Sequence, residues 1–73
     1  MTHPALRANL NNAVDYLRIA QRNPKHAAAA YGFARDHLLH ALAIAKTLGL
    51  GSVVARVLLA LREVGKANRQ LVA

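Results

Sequence analysis

Apolar residues recur along this chain at spacings of three and four, in three stretches separated by proline or glycine. In the first stretch Leu6, Leu10, Ala13, Val14 and Leu17 share one helical arc, while Arg7, Asn11, Asp15, Arg18 and Arg22 occupy a neighbouring polar arc. That is the pattern of an amphipathic surface helix, with Tyr16 and Ile19 outside the main stripe as a second contact. The second stretch is apolar on two sides: Tyr31, Ala34, Leu38, Leu42 and Ala45 form one stripe, and Phe33, His37 and Ile44 form another. A helix of that kind sits between two neighbours. The third stretch carries Val53, Val57, Ala60, Leu61, Val64 and Leu71, broadened by Val54 and Leu58 into an arc wider than one partner helix covers.

Capping and turn residues predict the boundaries. Thr2 can cap a first helix with Pro4 in its opening turn, and Asn23 followed by Pro24 repeats the device. Gly49 supplies a left-handed stop and Ser52 a cap for the third helix. Helices are therefore expected over residues 4–22, 24–48 and 52–70. Gly65 weakens the last, because glycine inside a helix costs about 1 kcal/mol relative to alanine. The links at Asn23 and at residues 49–51 are short, so consecutive helices run antiparallel. The expected fold is one all-α domain over residues 1–73, an up-down-up three-helix bundle. Its surplus apolar arc predicts a homodimer, with Val53, Val57, Leu61 and Val64 on the seam; the alternative is a monomer whose Ala-rich faces meet water.

Composition sharpens this picture by exclusion. The 73 residues contain no cysteine, so disulfides and thiolate zinc sites are ruled out. A chain this short buries only about 60% of its unfolded surface, and self-association is the remaining device for stabilising it. Stretches free of Lys, Arg, Asp and Glu reach only nine residues, such as 37–45, against the roughly 20 needed to span a bilayer. Pro4, Arg7 and two asparagines also interrupt the start of the chain where a signal peptide would be apolar, so the expected setting is cytoplasmic.

Ten Lys and Arg residues against three carboxylates give a net charge of +7. In an up-down-up bundle the end of the first helix, the start of the second and the end of the third share one pole, which gathers Arg18, Arg22, Lys25, Lys66 and Arg69. That pole is a candidate for phosphates or an acidic protein surface. The competing account is that basic residues near helix C-termini merely answer the helix dipole. Compensating the dipoles needs less charge than the chain carries.

The segment 45–58, AKTLGLGSVVARVL, resembles a helix-turn-helix, the DNA-reading motif of many repressors, through small Ala45, turn Gly49, apolar Leu50 and a buried Leu58. The resemblance implies base-facing positions at Ser52, Val53, Arg56, Val57 and Ala60. Only Ser52 and Arg56 offer good hydrogen bonds to base edges there. Val53 and Val57 belong to the apolar seam, and a plain helical hairpin with a glycine turn accounts for the same residues.

Other chemistry finds less support. His37 and His40, with Asp36 and the more distant His26, have helical spacing for two metal ligands but no fixed third, and His37 lies among apolar residues that suit a packed imidazole. The scattered carboxylates Asp15, Asp36 and Glu63 make no catalytic pair, and no nucleophile motif or Gly-rich phosphate loop occurs, so no enzyme activity, cofactor or small-molecule substrate is expected. A membrane-active helical peptide would carry interfacial Trp and more Lys than Arg, the reverse of this composition. The leading expectation is a small basic regulatory protein that binds nucleic acid through its phosphate backbone, using the polar cluster and Arg56. The alternative is a protein-binding adaptor or inhibitor, of the kind mobile elements encode, that occludes a partner's surface through Tyr16, Ile19 and Tyr31 beside a basic rim.

Overall fold

The computed structural model describes residues 3–71, which form helices α1 (Pro4–Arg22), α2 (Ala27–Thr47) and α3 (Gly51–Leu71), with a single 3-10 turn (Pro24–His26) ahead of α2. The cap of α1 is His3: its Nδ1 accepts from the Leu6 N–H at 3.4 Å and its carbonyl accepts from the Arg7 N–H at 3.0 Å. The expected cap, Thr2, lies outside the described residues. Asn23 closes α1 rather than capping α2, donating its N–H to the Ile19 carbonyl at 2.9 Å and making no side-chain capping bond. Proline disfavours helical geometry in the residue before it, and Asn23 accordingly sits at φ −124°, ψ 88°. The 3-10 turn that follows delays α2 to Ala27, three residues after the expected start.

The α2–α3 connection is a Schellman turn. Gly49, at φ +71°, donates to the Lys46 carbonyl at 3.1 Å, and Leu50 donates to the Ala45 carbonyl at 3.0 Å. The Leu50 carbonyl then accepts from the Val54 N–H at 2.9 Å and opens α3 at once. Ser52 is thus already helical, and the expected cap falls to the Leu50 backbone.

Alanine makes the α1–α2 seam. Leu6, Ala13 and Ala20 on α1 and Ala27, Ala34 and Ala41 on α2 each recur every seven residues, and all six are buried. Such small side chains let two helices approach closely. Leu38 and Ala45 carry the core onward to Val57 and Val64 of α3, with Tyr31 packed at the junction between this cluster and the Ala20–Ala27–Ala30 group. α2 is therefore central, as its two apolar sides predict.

All three helices lie side by side. A 21-residue helix is about 31 Å long, and the molecule measures 38 × 19 × 13 Å, so each helix must follow the long axis. A helix-turn-helix crosses its two helices at about 90–120°, which this shape excludes. The resemblance in segment 45–58 thus reflects a glycine turn in an antiparallel hairpin, and Leu58, expected to be buried, is 49% exposed. Among the described residues no Cα of α1 comes within 8 Å of a Cα of α3. The three helices form a bundle left open along one side.

Candidate binding surfaces

All ten Lys and Arg side chains are exposed. At one end of the bundle Gln21 of α1, Tyr31 of α2 and Ala67 of α3 line a common hollow, which fixes the shared pole. Arg22 and Lys66 adjoin the first and last of these in sequence. Arg18 and Arg22 are spaced i, i+4 at the end of α1, with Lys25 in the 3-10 turn beyond it, and Arg62, Lys66 and Arg69 form an i, i+4, i+7 stripe on α3. Arg62, which is not among the expected cations of the pole, belongs to this stripe; its four-residue spacing from Lys66 is the signal that finds it. No side-chain hydrogen bond among the described residues involves any of these cations. Arg56 stands apart, since ten residues of helix, about 15 Å, separate it from Lys66.

The open side of the bundle is an apolar groove between α1 and α3. It consists of three hollows of about 260, 260 and 350 Å³ that share lining residues: Leu10 and Val53 join the first to the second, and Leu17 and Ala60 join the second to the third. Leu38 of α2 lies on its floor and Val14, 46% exposed, on its α1 wall. His3, Arg7, Asn11, Gln21, Tyr31, Arg56 and Glu63 are its polar side chains.

The far flank of the α1–α2 pair carries an aromatic group. The ring of Tyr16 lies 5.1 Å from that of Phe33 and stacks on the His37 imidazole at 5.6 Å. His37 Nδ1 donates to Asn9 Oδ1 at 3.0 Å, and Asn9 Nδ2 donates to the Ala5 carbonyl at 2.9 Å, which orients the amide. His40 instead donates Nδ1–H to the Asp36 carbonyl of its own helix at 2.8 Å. Among the described residues no three His, Asp or Glu side chains gather to hold a metal ion, and no helix is long and apolar enough to cross a membrane.

The residues expected on a protein interface do not form one surface. Val57 and Val64 are 2% and 4% exposed and belong to the chain's own core. A seam periodicity that suits a second copy also suits α2, and α2 takes it. Val53 lines the groove, Leu61 is half-buried against the core, and Tyr31 lines the hollow at the basic pole. Tyr16 and Ile19 lie on the other flank of α1, with Phe33. A further apolar flank joins Leu58, part of the expected surplus arc of the third helix, to Leu39, which the pattern does not single out: the two, 49% and 41% exposed, occupy the sides of α3 and α2 that face away from α1. Comparison with family models, characterised proteins and solved structures finds no match to this chain.

Proposed function

We propose that the protein is a non-enzymatic helical regulator that pairs as a homodimer and binds nucleic acid through the phosphate backbone. The observation that carries this reading is the basic pole, where exposed cations of α1, the 3-10 turn and α3 gather at one end of the bundle and, among the described residues, none hydrogen-bonds another side chain. Arg18, Arg22, Lys25, Lys66 and Arg69 are the phosphate ligands, joined by Arg62. Arg56 is too far along α3 to belong to the same grip. Contacts of this type position a duplex without reading its sequence, and among the described residues no helix projects from the bundle to enter a groove. The dimer seam in this proposal is the Leu39–Leu58 flank, because Val57 and Val64 are already used inside the chain. The work is set in the cytoplasm, with the nucleic acid.

Fluorescence anisotropy with random duplex DNA at several salt concentrations tests it. Each phosphate contact contributes about 0.9 to the slope of log K against log salt, so six contacts give a slope of about −5 to −6. Replacing Arg18 and Arg22 together by Ala should reduce that slope by about two units while leaving the fold intact. No binding of the unaltered protein at low salt refutes the proposal. A second reading, a protein-binding adaptor or inhibitor, is favoured by one specific observation: the open apolar groove between α1 and α3.

A further inference from the structure

Two helices packed on a common third leave an inner corner, and here that corner stays open. Helix axes in contact lie about 8–10 Å apart, which brings their nearest Cα atoms well inside 8 Å. α1 and α3 do not approach to that distance anywhere among the described residues. The three helices therefore occupy three corners of a four-helix arrangement, with the fourth corner bounded by Leu10, Val14, Leu17, Val53 and Ala60. Along α1 the groove runs from Leu6 to Gln21, about 22 Å, which is the length of a helix of four turns.

Charge selects the occupant. The walls carry Arg7 and Arg56, with Glu63 as the one carboxylate. A second copy docking groove to groove would add two further arginines and only one further carboxylate to the same seam, and the chain has only three carboxylates with which to offset ten cations. A phosphate backbone has no apolar face for Leu10, Val14 and Leu17. An amphipathic helix with an apolar stripe and acidic flanks meets both requirements. We propose that the groove between α1 and α3 seats an acidic amphipathic helix of a partner protein. This rests on the adaptor reading and is independent of nucleic-acid binding at the pole.

The probe is a labelled synthetic peptide of about 16 residues, with Leu at i, i+3, i+4 and i+7 positions and Glu on both flanks. Its controls are the same composition with the Leu stripe scrambled and the same stripe with Lys for Glu. Anisotropy with the full chain should show the Glu peptide binding at least about tenfold more tightly than either control. Val14→Glu, at an exposed wall position, should lower that affinity by about tenfold or more with an unchanged helical circular dichroism spectrum. Arg56→Glu, in case Val14→Glu perturbs packing, should reverse the preference between Glu and Lys peptides. Duplex DNA binding by Val14→Glu should persist, whereas loss of the polar arginines should remove DNA binding and spare the peptide. The proposal is overturned if the scrambled peptide binds equally, if no peptide binds, or if Val14→Glu converts a dimer to a monomer without affecting the peptide.

Discussion

Gly32 and Gly65 both sit inside helices with helical backbone angles, and neither needs to be glycine. Only Gly49 has a positive φ among the described glycines. A Cβ at residue 32 meets no atom within 4 Å, and one at residue 65 meets only the Arg69 Nη1 at 3.8 Å, an ordinary contact. Alanine is favoured over glycine in a helix interior by about 1 kcal/mol, part of which comes from the narrower unfolded ensemble. Neither added Cβ would touch the other site, so Gly32→Ala with Gly65→Ala should stabilise the chain by about 1–2 kcal/mol. For a domain of this size each kcal/mol moves Tm by about 4–8 °C, which puts the double variant roughly 5–15 °C above the parent. Thermal melts followed by circular dichroism, at two protein concentrations, measure it. Gly65 is seven residues from Leu58 and Gly32 seven from Leu39, so both share the flank proposed as the seam, and a second copy seated there should make both gains smaller at the higher concentration. A fall in Tm for Gly32→Ala at the lower concentration, where the chain is monomeric, refutes the account, because it would mean that the chain's own residues pack against that side of α2.

Gly49→Ala should act in the opposite sense, destabilising by about 1 kcal/mol in the same melts, because its φ of +71° places a Cβ against the neighbouring carbonyl. Ala41→Leu should cost about 1–3 kcal/mol in urea unfolding, since Ala41 is fully buried where α1 and α2 meet. Leu58→Glu, on the open flank of α3, should leave helicity unchanged and shift sedimentation from dimer to monomer; a dimer that survives it removes that flank from the seam.

Helix existence and order were legible because Pro24, Gly49 and the spacing of Leu, Val and Ile are strong local signals. The bounds 4–22 for α1 match residue for residue, and the two apolar sides of α2 correspond to its two neighbours. Caps were less legible. Imidazole is an uncommon acceptor at that position, so His3 gave no signal, and Leu50 caps with its backbone, which has no sequence signature. Alanine also hides burial: Ala20, Ala27, Ala30 and Ala41 look like neutral helix formers, yet they form much of the core. The groove escaped for a different reason. A hydrophobic pattern gives the width of an apolar arc but not the angle at which two neighbours sit around a third helix, so Leu10, Val14 and Leu17 read as core. The cations of the pole were visible in sequence, except that Arg62 needed the helical spacing from Lys66 to join them.

The separation of α1 from α3 also bears on how the chain folds. Among the described residues the Cα atoms of α1 and α3 stay more than 8 Å apart, so close helix packing is confined to α1 with α2 and α2 with α3, and little of it waits for the two ends of the molecule to meet. Loop-closure entropy is then small at every step, and such low contact order belongs to folding in microseconds to milliseconds. Each hairpin is a nearest-neighbour unit that shares only α2 with the other, in the manner of a short repeat array. Amide protons of α2 should consequently exchange most slowly, while α1 and α3 open independently of one another at lower free energy.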